Sequence, residues 1–174
     1  MYNECNNMIL YHGSNIIVDK PQLVIQTRGL DFGFGFYLTT NEEQAKRFST
    51  IVLKRKKTGS AGVSVYEFNM DEAEKKLDFL KFESANAEWL RFVAENRLKT
   101  YKGIIYDIVI GAVANDTVMP TIQLYLNNFL NEEAALITLK ASKLADQICL
   151  KTEKALSLLN FKYSYKTDKD SVNG

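Results

Sequence analysis

A chain of 174 residues, 46% hydrophobic and 25% charged, has the size and composition of one globular domain with its own core. Its net charge of +1 gives no overall field toward nucleic acid or an anionic membrane, and a single histidine nearly excludes a metal centre built on imidazole. Two distant cysteines, Cys5 and Cys149, suggest neither a zinc site nor a disulfide framework, and Cys149 in "QICL" reads as a buried small hydrophobe.

"MYNECNNMIL" lacks the basic start and long apolar core of a secretory signal, and no apolar run is long enough to span a bilayer, so a cytoplasmic location is expected. From there the chain reads as one α+β domain over residues 1–166 with a frayed polar tail over 167–174. "MILYH" predicts a strand, followed by a loop through Pro21 with room for a short helix. "GFGFYLTT" predicts a second strand, and Thr40 or Asn41 caps a helix, "NEEQAKRFSTIVLKRK", whose first turn carries Glu42 and Glu43. After a turn, "VSVYEFN" alternates as a strand and "LDFLKFE" gives a shorter one. "NAEWLRFVAENRL" is amphipathic, with Trp89 on its core side. "YDIVIGAVAN" is a buried strand; "TVMPTIQLYLNNFL" and "NEEAALITLKASKLA" are helices; "QICLKT" is a late strand, "EKALSLL" a short helix or turn, and "FKYSYK" the closing strand.

Two stretches stand out. His12-Gly13-Ser14 follows the first strand, and Gly33 and Gly35 bracket Phe34 just before Phe36 and Tyr37. Taken singly, each has a plain reading: a structural histidine, a glycine-rich bend and a core tyrosine. The basic run Lys54 to Lys57 reads as a solvated turn, with a phosphate patch as the lesser reading. No "GxSxG" elbow accompanies His12.

Taken together, "YHGS", "FGFGFYLTT" and the helix "NEEQAKRFS" resemble the first half of the NAD-binding core of ADP-ribosyltransferases, in the histidine–tyrosine branch that includes poly(ADP-ribose)-polymerase-like and diphtheria-toxin-like domains. With "YDIVIGAVAND" and "DQICLKTEKALSLLNF", the chain is most similar to a bacterial family of that clan, DUF3990. The resemblance implies a split mixed/antiparallel sheet core around an NAD cleft with flanking helices. It implies a mono-ADP-ribosyltransferase with NAD as substrate and no metal.

His12 would contact a ribose hydroxyl, Gly13 would offer its backbone to the nicotinamide carboxamide, and Ser14 would add a hydroxyl. Gly35 would let the backbone approach the ligand. Tyr37 would stack on the nicotinamide, with Gln44 as a carboxamide partner and Phe48 as a second aromatic wall. The third catalytic position, commonly glutamate, falls on Gln147, which can hold a hydroxyl but cannot act as a base. Chain elongation is therefore not expected; single transfer or slow hydrolysis of NAD is. Asp146 and Glu153 are fallback carboxylates, Glu153 more simply a capping or surface residue. Asp107, Asn115 and Asp116 would line the cleft rim or, more simply, cap the next helix.

The acceptor, protein or nucleic acid, is not named by the sequence. A small cognate inhibitor is a further candidate partner, and a toxin or defence role fits the class. A nucleotide-binding module with little catalysis and a nucleic-acid-directed relative are the alternatives.

Overall fold

The computed structural model describes residues 7–25, 27–140, 142 and 144–167. The elements run β1 (Asn7–Ser14), β2 (Phe36–Leu38), α1 (Glu42–Lys56), β3 (Gly62–Asn69), α2 (Met70–Lys76), β4 (Phe79–Lys81), α3 (Ala87–Arg97), β5 (Ile108–Ala112), α4 (Met119–Leu126), α5 (Glu132–Lys140), β6 (Asp146–Leu150), α6 (Glu153–Leu156) and β7 (Leu159–Lys166). They build two sheets. One is antiparallel in the order β1-β3-β7; the other is mixed, β2-β6-β5-β4, with β4 and β5 parallel. The expected α+β class and split sheet are both present.

Strand alternation explains the layering. Successive side chains leave opposite faces of a strand, so along β6 Ile148 and Leu150 enter one core while Cys149 enters another. The first core lies between the sheets, where Leu10, Tyr66 and Phe68 meet Phe36, Leu38, Ile108, Ile148 and Leu150. The second lies beyond the mixed sheet, where Val109 and Cys149 meet Trp89, Leu90, Val93, Ile122 and Leu139 of α3, α4 and α5. On the outer face of the antiparallel sheet, Ala45 of α1 packs on Val63 and Val65. The sheets touch edge to edge through one bridge, in which Tyr11 and Thr39 exchange both backbone hydrogen bonds at 2.9 and 3.0 Å.

Helix starts follow their caps. The side chains of Asn41, Asn86 and Thr152 accept from the backbone N–H groups of Gln44, Trp89 and Ala155. The same device makes α2, which the sequence reading did not anticipate: Asn69 caps Glu72 and ends β3 in one step. Its short run buries only Ala73, too little to print a helical period.

β2 is shorter than the expected strand over 33–40. Gly33 takes φ +74°, and a Cβ on Gly35 would lie 2.3 Å from Cys149 Sγ and 2.8 Å from the Leu150 oxygen, so 33–35 is a tight turn rather than ladder. The loop between β1 and β2 forms no helix among its described residues. Of the expected tail, Thr167 donates its N–H to the Ala61 oxygen at 3.0 Å; residues 168–174 lie outside the described residues, as does Cys5. Among the described residues no helix is long and apolar enough to cross a membrane.

Candidate functional site at the seam between the sheets

His12 lies near the end of β1 with its ring stacked on Phe36, centroids 4.4 Å apart, and its Nδ1 2.7 Å from the Tyr37 carbonyl oxygen. A carbonyl can only accept, so Nδ1 carries the proton. Burial lowers the pKa of the ring, outweighing the opposite pull of that carbonyl. At neutral pH the ring is uncharged and Nε2 presents a lone pair. Nε2 has no partner among the described residues, and it is not sealed off, since Gln44 Oε1 is the one fully buried side-chain polar atom there that lacks one.

Gly13 serves packing and site at once. A Cβ would lie 1.9 Å from the Ala45 carbonyl oxygen, so glycine is what lets α1 settle on β1. Tyr11 turns both its backbone groups toward Thr39, so by strand alternation the N–H and C=O of Gly13 also face the seam, away from β3. The rung that Tyr37 would offer there is taken by the imidazole of His12. Ser14 adds a hydroxyl, 3.4 Å from Asn15 Oδ1.

Tyr37 sends its ring to the other face of the mixed sheet, packed near Phe32 at 6.5 Å between centroids. Its hydroxyl donates to the Gly33 carbonyl at 2.6 Å and accepts from the Phe32 N–H at 3.1 Å. Burial, with the Cys149 thiol and Asp31 nearby, raises its pKa well above the usual phenol value. The turn it holds is tied down further by Lys151, which donates to the Phe32 and Phe34 carbonyls.

Asp31, which the sequence reading passed over, is the polar centre of that turn. Its buried carboxylate pairs with Arg97 and accepts from the Ala114 N–H at 3.1 Å. Gln147 Nε2 lies 3.5 Å from its Oδ2. Gln147 and Tyr37 thus share a sheet face and anchor the same turn, while His12 approaches from the other side of the seam. The only sequence signal for Asp31 was one acid set among glycines and aromatics in "RGLDFGFGFY".

α1 forms the outer wall. Near its start, Glu42 accepts from the Tyr165 hydroxyl and Lys46 lies over the Tyr165 ring, so one flank sits on β7. The opposite flank, at i, i+4, i+7 and i+11, carries Gln44, Phe48, Ile51 and Arg55 along the side of β1 that faces the seam. Phe48 and Ile51 are exposed there, at 40% and 45%. The Gln44 amide donates to the Asp146 carbonyl at 3.3 Å, leaving its oxygen the buried atom without a partner.

The other acidic and amide candidates have places of their own. Asp146 accepts from the Thr39 hydroxyl and from the N–H and hydroxyl of Thr40, fastening β6 to the start of α1. Asp107 accepts from the Asp78 N–H and the Thr152 hydroxyl; burial opposes its charge, but these bonds hold its pKa below the usual value. Asn115 caps the turn before α4 by accepting from the Thr117 N–H at 3.0 Å, Asp116 is exposed beside it, and Glu153 sits in the first turn of α6. Cys149 is buried as expected. A groove of about 960 Å³ opens elsewhere, between β4, β5 and α5, and reaches Thr40 and Asp146 but none of His12, Gly13, Tyr37 or Gln147. No cluster of metal-ligating side chains occurs among the described residues.

No curated protein and no solved structure matches the chain. A family model does, over residues 8–161, which takes in β1, the seam, α1 and the beginning of β7. The chain belongs to the DUF3990 family, described as proteins of unknown function.

Proposed function

We propose that this protein is a mono-ADP-ribosyltransferase-type enzyme that cleaves the nicotinamide–ribose bond of NAD and transfers ADP-ribose to an acceptor. The observation that carries this reading is the pair at the seam: a neutral His12 offering Nε2, beside a Gly13 whose backbone N–H and C=O face the same gap. An acceptor nitrogen suits a ribose hydroxyl, and an N–H/C=O pair facing the same gap suits a carboxamide, which needs one of each. The resemblance of "YHGS" and "FGFGFYLTT" to the histidine–tyrosine ADP-ribosyltransferases supports the same assignment.

In this scheme the C1′–N bond breaks with its electron pair passing to nicotinamide, and the cation left at C1′ is trapped by an acceptor nucleophile that loses its proton to solvent. Gln147, with no partner to its amide oxygen among the described residues, would hold the 2′-hydroxyl without acting as a base. Tyr37 and Phe48 would be the aromatic walls. Gln44 would hold the carboxamide, Gly35 would admit the backbone close to the ligand and Ser14 would supply a hydroxyl. The ring of Tyr37 is engaged with Phe32, so its use on nicotinamide requires the Asp31–Gly35 turn to shift.

The test is nicotinamide release from NAD by the purified protein, beside folded His12→Ala and Tyr37→Phe variants. Release that is lost with His12→Ala supports the reading; neither release nor calorimetric binding of NAD overturns it. Binding without release favours a nucleotide-binding module, a reading supported by a site whose free polar groups are amides and an imidazole, with Asp146 and Asp107 engaged elsewhere.

A further inference from the structure

α3 runs out into a loop that the fold leaves in solvent. Lys99 takes φ +57° just past the helix, where its N–H bonds back to the Asn96 carbonyl and the Thr100 N–H to that of Glu95. The Tyr101 hydroxyl then donates to the Ile104 carbonyl at 2.9 Å and closes a small tip around Gly103. A second loop lies against the same end of α3. A Cβ on Gly29 would fall 2.1 Å from the Arg97 carbonyl oxygen, and Lys99 Nζ donates to the Thr27 carbonyl. The two loops are thus held together.

Both turn large apolar side chains outward. In the first, Ile105 is 76% exposed, Ile104 69% and Leu98 55%; in the second, Ile25 is 86% and Val24 62%. Of the six large apolar residues more than 60% exposed among the described residues, four stand on this pair of loops. Single exposed apolar side chains are ordinary, but a group of them with a polar rim marks a contact surface. The rim here is of one sign. Arg28, Lys99 and Lys102 are exposed on the same two loops, and Arg97 is paired with Asp31. Glu95 is the one acid over residues 95–105, and residues 20–30 hold none. The net charge of +1 therefore conceals a local excess of cations around an apolar tip.

We infer that this pair of loops is a docking surface for an anionic lipid bilayer. Ile104 and Ile105 enter the interfacial layer, and Arg28, Lys99 and Lys102 lie against the headgroups. Attachment of this kind grows with the apolar area inserted and with the attraction of cations to anionic lipid, and the loops supply both. Tyr101 and Tyr106 stand half-buried at the base of the tip, with the amphipathic rings that favour such an interface. The groove between β4, β5 and α5 takes in none of these residues, so they present tips and not a cleft. The inference does not rest on the NAD reading.

The probe is vesicles of phosphatidylcholine alone and of phosphatidylcholine mixed with phosphatidylserine, sedimented with the wild type and three variants. These are Ile104→Ser with Ile105→Ser, Lys102→Ala, and Ile137→Ser on α5, each shown folded by unchanged urea unfolding of Trp89 emission. The wild type is expected to sediment with the mixed vesicles, far less with the uncharged ones, and to be released by raised salt. The double serine variant should bind at least about tenfold more weakly, and Lys102→Ala about fivefold. Ile137→Ser, which removes an equally exposed isoleucine from another face, should bind as the wild type does. No sedimentation with the mixed vesicles, equal binding to the uncharged ones, or an equal loss in Ile137→Ser would each overturn the inference. So would self-association without lipid that the double serine variant abolishes, since the patch would then belong to a second copy of this chain.

Discussion

His12 holds Tyr37 by its backbone and not by its ring: imidazole Nδ1 donates to the Tyr37 carbonyl at 2.7 Å, while the phenol crosses to the far face of the sheet to bind Gly33 and Phe32. The two residues therefore secure different things. His12 sets the width of the seam, and Tyr37 sets the turn that overhangs it.

Because burial depresses the His12 pKa, the folded protein resists protonating a group that the unfolded chain protonates near 6.5. The stability tied to neutral His12 is present in full above pH 6.5. It is lost as pH falls from there through the lower folded value. The ring C–H resonances of this single histidine should titrate with a midpoint below 6.5, and His12→Asn should show less loss of stability between pH 7 and 5 than the wild type. A midpoint at or above 6.5 would contradict the buried neutral imidazole.

Gly13→Ala places a methyl where the Ala45 carbonyl already stands, and backbone cannot rotate away as a side chain would. Overpacking of this kind costs about 1–3 kcal/mol or more. Urea unfolding followed through Trp89, which is fully buried with its indole N–H on the Ala112 carbonyl, should report a loss of that size.

Asp31→Ala leaves Arg97 without its carboxylate and the Ala114 N–H without an acceptor. Breaking a buried pair from one side costs about 3 kcal/mol. Arg97 is partly exposed, so the loss should fall toward 2 kcal/mol, on the order of a charged hydrogen bond. Gln147 loses its anchor in the same variant. If the protein cleaves NAD as proposed, nicotinamide release should fall with it, even at a temperature where the variant stays folded.

Burial pushes the Cys149 thiol up to about 12, so the native protein holds it as an unreactive thiol. In a Cys5→Ser background, labelling by a thiol-specific reagent at pH 8 should proceed only as fast as the protein opens. Rapid labelling without denaturant would place Cys149 at the surface.

Much of this fold can be read from local pattern. The caps at Asn41 and Asn86, the alternation of "VSVYEFN" and the apolar face of Trp89, Phe92 and Val93 all act within a few residues. α2 escapes because it is made by a cap and a single buried alanine. β2 reads too long because Gly33 and Gly35 bend the chain for reasons that lie in Asn96, Cys149 and Leu150. The same limit applies to the site. His12, Gly13 and Tyr37 stand in short motifs, whereas the meeting of Asp31 with Arg97 is made only by folding.

The antiparallel sheet has a consequence for synthesis. β3 lies between β1 and β7, yet residues 70–158, with three strands of the other sheet, intervene before β7 is made. On the ribosome one edge of β3, the strand that carries Tyr66 and Phe68 into the core, stays open until β7 arrives. Sequence-distant pairing of this kind slows folding, and an open apolar strand invites other chains. A nascent chain halted before β7 should be held by chaperones and cleaved readily, and release of the last strand should convert it abruptly to a protease-resistant form.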